Sequence, residues 1–301
     1  GQTILSARLS MLAAAALFST GGTVIKATSL TAWQVAALRS GVAVVALLIC
    51  SRAARRGWTW RTPLVGLVSA VTLILFVNAN KLTTAANAIF LQATAPLYLL
   101  LLSPLLLRER VRRSDLGFMA VLAGGLALFF LGSEAPHETA PDPALGNLLA
   151  AASGFTWALT IAGLRWLARA TPSTAGGEAE GDAGGAAVPA TVAANALGFL
   201  LCAGYAFPLG STTVGDWAAV LFLGVFQIAL AYLFLTASVR RVPAFEGALL
   251  LLLEPVLSAL IAAVVHGEWP QPFALAGCGL ILLATLGHAL HASRSPGAAA
   301  S

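Results

Sequence analysis

Two kinds of residue in this chain have the chemistry to do work: one short polar motif, and a few ionisable groups set inside long apolar runs. The motif is His137 to Asp142, reading HETAPD. It fits an H-x4-D pattern, in which an imidazole takes a proton from a hydroxyl, as an acyltransferase needs. The match rests on two residue types at one spacing, in a Pro-containing loop without a basic substrate clamp. The sequence has no G-x-S-x-G elbow, no G-x4-G-K-[ST] phosphate loop, no H-E-x-x-H metal helix and no Cys/His cluster. ATP-driven pumping within this chain is therefore not expected, nor is a catalytic residue, a metal or a cofactor. An intramembrane acyltransferase-like enzyme is the remote alternative.

The ionisable groups inside apolar runs carry more information. A charge near the centre of a bilayer costs from about 2.5 to over 10 kcal/mol, so its retention points to a transport pathway or a buried partner. Arg39 and Glu254 are the two deepest. Glu254 either takes part in coupling as a protonatable group or has a structural use, satisfying amides freed by Pro255 or pairing with Arg39. The structural ion pair is the favoured expectation.

Neutral polar residues stand beside them. Asn87, Leu91, Thr94 and Tyr98 recur at helical spacing and give one mixed face, which either lines a cavity or holds helices together. Trp157 and Tyr232 add aromatic surface within their runs, and Gln227 a polar group in the same run as Tyr232. Asn78, Asn80 and Lys81 precede the fourth run, where a helix N-terminus favours an anion such as a substrate carboxylate. The expected substrate contacts are Asn78, Asn80, Lys81, Asn87, Thr94, Tyr98, Trp157, Gln227 and Tyr232. Arg39 and Glu254 are expected as coupling or structural groups.

The elements that position these residues follow from composition. Of 301 residues 58% are hydrophobic and 10% charged, against about 45–50% and 25% in a soluble domain. A surface so poor in charge needs lipid around it. A net charge of +5 could mark a nucleic-acid partner, but almost no basic residue lies in an aromatic-interleaved, groove-binding segment. Cys50, Cys202 and Cys278 all lie in apolar stretches, which excludes a disulfide scaffold.

A membrane helix needs about 20 apolar residues, and the runs here have that length without the alternation of a barrel strand. They predict ten helices at about 7–27, 32–51, 62–82, 84–107, 115–132, 145–168, 188–209, 216–238, 243–265 and 271–291. Residues 172–187, rich in Gly, Ala, Ser and acidic groups, read as a flexible linker on the cytoplasmic side. No cleavable leader is expected, and residues 292–301 read as a tail.

Orientation comes from the basic residues. One set of connections, with both termini, carries Arg8, Arg52, Arg55, Arg56, Arg61, Arg108, Arg110, Arg112, Arg113, Arg165, Arg169, Arg240, Arg241 and Arg294. The opposite set carries only Lys26 and Lys81. Basic residues in short loops stay in the cytoplasm, so both termini are expected there. The two ends of the bundle are called below the arginine end and the lysine end.

The sequence also repeats. Pro96 and Pro255 sit mid-run, Glu109 and Glu268 follow each at the same distance, and Gly117 and Gly277 open the next run. The repeats are read as 7–132 and 145–291, joined by an outer loop at 133–144. Five spans is an odd number, so the second repeat enters the membrane inverted. Inverted repeats around a midplane site are the architecture of alternating-access carriers.

In these features the chain resembles the drug/metabolite transporter superfamily, EamA type, over nearly its whole length. The family's mid-membrane aromatic, second-span Arg, basic residue before the fourth span, central Glu-Pro, exit Glu and following Gly look like Trp157, Arg39, Lys81, Glu254-Pro255, Glu109 with Glu268, and Gly117 with Gly277. The first repeat departs by having Ala95 where the second has Glu254, and the seventh span has no charge to match Arg39. Within the family the chain is most similar to amino-acid exporters, particularly those handling aromatic amino acids. The resemblance implies a secondary transporter of small amphipathic solutes in a bacterial inner membrane, with a midplane cavity formed mainly by the third, fourth, eighth and ninth spans. Its partners would be a small-molecule substrate and lipid, and its oligomeric state is left open, a monomer included. A drug or other metabolite exporter of the same fold is the alternative. A receptor or membrane scaffold is a third class, lacking both the cavity and the inverted symmetry.

Overall fold

A computed structural model describes residues 4–106, 113–131, 135–170, 183–239, 241–242 and 244–294. The elements are α1 (Ile4–Ser19), α2 (Gly21–Ala27), α3 (Ala32–Cys50), α4 (Thr62–Leu82), α5 (Ala85–Gln92), α6 (Ala95–Leu106), α7 (Arg113–Leu131), α8 (Pro143–Ala170), α9 (Ala183–Ala206), α10 (Val214–Phe222), α11 (Ala231–Val239), α12 (Ala244–Leu251), α13 (Leu253–His266) and α14 (Pro272–Arg294). They make an all-α polytopic membrane protein with ten transmembrane spans arranged as two inverted five-span repeats. Four spans are interrupted: α1 with α2, α5 with α6, α12 with α13, and α10 with α11, the last pair joined by a π-helical stretch at Leu223–Leu230.

Each interruption has a local cause. Pro96 and Pro255 fall in the first turns of α6 and α13, where a missing N–H is tolerated, so the preceding turn is where each span breaks. The first span breaks at Thr20 without a proline. Ser19 and Thr20 turn their hydroxyls back onto the carbonyls of Ala16 and Leu17, at 2.7 and 2.6 Å, a bonding pattern that bends helices. Gly21 and Gly22 follow at once.

The packing order carries the inversion. The third span (α4) packs on the sixth (α8) and seventh (α9), and the eighth (α10 to α11) packs on the first (α1) and second (α3). The fourth packs on the sixth as the ninth packs on the first. The second and seventh, fourth and ninth, and fifth and tenth spans each meet their own counterpart. Exchanging the repeats therefore leaves this pattern unchanged.

One expectation is corrected here, and one crossing is defined. Residues 183–187, expected in the linker, begin α9, while 171–182 lie outside the described residues. The glycine of the fifth span that meets Gly277 is Gly125: a Cβ on Gly277 would lie 2.9 Å from the Gly125 carbonyl, whereas one on Gly117 would touch nothing.

Candidate functional site

The break in the first span is the centre of the site. Gly21 and Gly22 lie in close contact with two side chains from other spans. A Cβ on Gly21 would come within 2.8 Å of Gln227 Nε2, and one on Gly22 within 2.6 Å of Asn80 Oδ1. Only glycine lets both amides approach the broken backbone. Asn80 donates its Nδ2 to the Phe76 carbonyl at 2.9 Å, which leaves its oxygen aimed at the break. Asn80 Oδ1, Gln227 Oε1 and Thr23 Oγ1 are buried without a hydrogen-bond partner. Buried polar atoms are nearly always paired, so three unsatisfied oxygens around one helix break mark a place for donors from outside the fold. Gln227 is held there by the π-helical stretch, a distortion that concentrates at functional sites.

An aromatic surface adjoins the break. Tyr232 meets Phe18 edge to face with ring centroids 5.3 Å apart, and Phe18 lies three residues before Gly21. Arg39 is 1% exposed; it donates Nη2 to the Leu73 carbonyl at 3.5 Å, and its Nε has no acceptor. The ion pair expected between Arg39 and Glu254 does not form: among the described residues Arg39 makes no salt bridge, and Glu254 has neither a salt bridge nor a hydrogen bond. Glu254 shares a helical row with buried Ser258 and Ala262, while Leu253, Leu260 and Val264 form the opposite, lipid-exposed row.

The fourth-span stripe has a different occupation in this conformation. Asn87 and Thr94 are buried. Asn87 Nδ2 donates to Asn147 Oδ1 at 3.3 Å and to Thr83 Oγ1 at 3.4 Å, and Thr94 donates to the Leu91 carbonyl at 2.6 Å. Asn87 thus joins the fourth span to the sixth, and Thr94 bonds back across the break between α5 and α6. Tyr98, half-buried, meets Phe155 edge to face at 5.7 Å. Trp157, also half-buried, follows Thr156, whose hydroxyl accepts from Thr72 at 2.8 Å. Asn78 donates to the Ile74 carbonyl of its own helix at 2.8 Å.

Lys81 is tied to the lysine end rather than presented to a cavity. Its Nζ donates to the carbonyl and hydroxyl of Thr28 at 2.8 and 3.0 Å. Nearby, Lys26 pairs with Glu268 at 2.8 Å and also donates to the Thr139 carbonyl. Glu268 accepts from the Ala85 amide at 2.8 Å, and Asp216 accepts from the Ser29 amide and hydroxyl, each at 2.7 Å. This end holds a recess of about 430 Å³ lined by Thr84, His137, Glu268, Trp269 and Gln271. Of the HETAPD motif, Asp142 accepts from the Leu145 amide at the start of α8, and His137 is exposed; the two do not form a dyad. Glu246 pairs with Arg8 at the arginine end, with Nη2 to Oε2 at 2.9 Å.

The sequence reading placed Asn80, Gln227 and Tyr232 at the site and missed Gly21, Gly22 and Thr23. Adjacent glycines mid-run were the available signal, since glycine inside a helix needs a close approach or a break to justify it.

Comparison with known proteins agrees with the architecture. A solved crystal structure superposes with a TM-score of 0.61 over 96% of this chain and 98% of that one, at 24% identity, which supports the fold alone. An aromatic amino acid exporter, YddG, of Ancylobacter novellus is 29% identical over 69% of this chain and 68% of its own length. An uncharacterized transporter, YetK, of Bacillus subtilis is 25% identical over 77% of this chain and 69% of its own. The model of the EamA-like transporter family matches twice, at residues 5–131 and 144–289, once for each five-span repeat. The chain belongs to the EamA-like transporter family.

Proposed function

We propose that this protein is a secondary carrier that exports small amphipathic solutes, amino acids with apolar or aromatic side chains foremost, by alternating access across a bacterial inner membrane. The arginine end is cytoplasmic, and the lysine end faces outward. The observation that carries the reading is the broken first span, where Asn80, Gln227 and Thr23 hold unpaired oxygens beside the Phe18–Tyr232 aromatic pair. An ammonium supplies three donors for such oxygens, and an aromatic side chain suits the neighbouring rings. The relative named as an aromatic amino acid exporter supports the same class. A nucleotide sugar, with at least two phosphate charges, would call for several convergent basic groups, which the spans do not supply.

Purified protein in liposomes preloaded with unlabelled phenylalanine should accumulate labelled phenylalanine or tryptophan by exchange. Lysine, a nucleotide sugar and a cationic dye, tried the same way, should exchange poorly. Exchange of the sugar or the dye without that of the aromatic amino acids would overturn the substrate class. Replacing Asn80 or Gln227 by Ala should reduce amino-acid exchange about tenfold or more, the scale of one lost charge-assisted hydrogen bond of 1.5–3 kcal/mol.

A further inference from the structure

The connection between the second and third spans carries Arg52, Arg55, Arg56, Trp58, Trp60 and Arg61. From Gly1 to Arg108 the sequence holds no Asp or Glu, so no carboxylate lies near these arginines along the chain. None answers them across space either: among the described residues the four guanidinium groups have neither an ion pair nor a hydrogen bond. Of the acidic residues at the arginine end, Glu246 is engaged by Arg8, and Asp115 has an interaction of its own. Glu109, Glu178, Glu180 and Asp182 lie outside the described residues. The loop is nonetheless pinned. Ala54 is fully buried in a cluster with Leu47, Val188 and Val192, and Trp58 donates its indole N–H to the Ala54 carbonyl at 2.9 Å. Arg61 sets its guanidinium carbon 4.4 Å from the Trp166 ring centroid on α8 and 5.4 Å from that of Trp60, and the two indoles meet edge to face at 5.6 Å. An aromatic face attracts the charge but takes none of the five N–H donors, which still call for acceptors. Trp60 is 70% exposed and Trp166 38%, as suits indoles in the headgroup layer. From Arg61 into the membrane, Leu64, Leu67 and Val71 form one exposed apolar row along α4.

We propose that this loop and the end of α8 form a binding site for a phospholipid with an anionic phosphodiester headgroup. Arg61, held by Trp166 and Trp60, offers its donor fork to the phosphate, Arg52, Arg55 and Arg56 supply the surrounding positive charge, and the row from Leu64 to Val71 takes an acyl chain. A phosphodiester has acceptor oxygens that a planar guanidinium fork fits. Arg61 is also the N-cap of α4, whose first turn adds to the pull on an anion. The apolar row favours a lipid over a soluble phosphate ester, because only the lipid has a chain to lay along it. Clusters of basic residues just outside a span on the cytoplasmic side hold anionic leaflets in the same way. On α4, Arg61 precedes Asn80 by 19 residues, about 28 Å of helix, so this site is separate from the broken first span and does not depend on the solute carried there.

The test is a lipid titration of the purified full-length protein in detergent, with bound lipid counted by native mass spectrometry. Phosphatidylglycerol is compared with phosphatidylcholine of the same acyl chains. Wild-type protein should bind phosphatidylglycerol at least about tenfold tighter. Arg61→Gln should weaken phosphatidylglycerol about fivefold, the scale of one basic group at an anionic surface, and leave phosphatidylcholine unchanged. Joint replacement of Arg52, Arg55 and Arg56 by Gln should bring the two lipids within about threefold of each other. Those three side chains are exposed, so the triple variant carries the test if Arg61→Gln does not fold. Arg294→Gln, at the same end of the bundle on α14, is the control and should change neither affinity. Equal binding of the two lipids by wild type would overturn the site, as would a loss in Arg294→Gln as large as that in Arg61→Gln, which would mean diffuse charge. Displacement of phosphatidylglycerol by an equal concentration of glycerol 3-phosphate would make the ligand a soluble phosphate ester and overturn the lipid. A preference that emerges only when Glu178, Glu180 and Asp182 are changed to Gln would assign the arginines to those carboxylates and overturn it too.

Discussion

Lys26 and Glu268 form an ion pair at 2.8 Å with side chains 3% and 1% exposed, joining α2 of the first repeat to the connection between α13 and α14 of the second. The other carboxylate oxygen of Glu268 accepts from the amide of Ala85, at the start of α5, where the helix dipole favours a negative charge. Lys26 in turn donates to the Thr139 carbonyl in the connection between the repeats. Four pieces of chain thus converge on two residues. A motion that moves these four pieces apart must break the pair.

Breaking the pair one residue at a time should be costly. Lys26→Met leaves a buried carboxylate without its cation, and Glu268→Gln leaves a buried ammonium; each should destabilise by about 3–5 kcal/mol. Together in one chain they leave no buried charge, so the double variant should recover a good part of that loss. Thermal unfolding of detergent-purified protein checks it, and additive losses in the double variant would mean that the pair is not coupled. If the pair also holds the lysine end closed, the double variant should bind phenylalanine from that side with a faster on-rate than wild type.

Orientation has its own test. In a chain with Cys50, Cys202 and Cys278 replaced by Ala, a cysteine at exposed Glu138 should react with an impermeant maleimide on intact cells. A cysteine at exposed Arg55 should react only after permeabilisation. Labelling in the opposite order would place both termini outside and turn the proposed export into import.

How much of this was legible beforehand depends on the kind of signal. Span positions were, because apolar length is a one-dimensional property: the third span was expected at 62–82 and runs Thr62–Leu82. The breaks before Pro96 and Pro255 were implied by proline, which acts on its own helix. The break at Thr20 was not, since it depends on hydroxyls bonding backward and on Asn80 and Gln227 arriving from spans far along the chain. The Arg39–Glu254 expectation failed for a related reason. Depth in a helix can be counted from sequence, but the azimuth at which two helices face one another cannot, and here Arg39 turns its guanidinium to the Leu73 carbonyl instead. Asn87 was read on a mixed face that either lines a cavity or holds helices together, and its partner Asn147 lies in the other repeat, so a network and a cavity lining look alike in one sequence.

The crossing of the fifth and tenth spans gives the sharpest steric prediction. At Gly277 an added methyl would stand 2.7 Å from Phe129 Cε2 and 2.9 Å from the Gly125 carbonyl, which belongs to backbone and cannot swing aside. Gly277→Ala must therefore push α14 away from α7, at a cost of about 1–3 kcal/mol for overpacking. Gly117 lies on the same helix as Gly125 with nothing within 4 Å of its added Cβ. There the substitution only removes backbone freedom and should be neutral or stabilise by about 0.5–1 kcal/mol. Gly22→Ala is a third case: its Cβ would reach 2.6 Å from Asn80 Oδ1, a side-chain atom able to turn away. It should leave the unfolding temperature near wild type while reducing amino-acid exchange, because the turned amide no longer presents its oxygen at the break. Unfolding temperatures of the three variants, with exchange measured for each, separate the roles. Equal thermal losses at Gly117 and Gly277 would place the α7–α14 crossing elsewhere, and normal exchange in Gly22→Ala would remove Asn80 from the site.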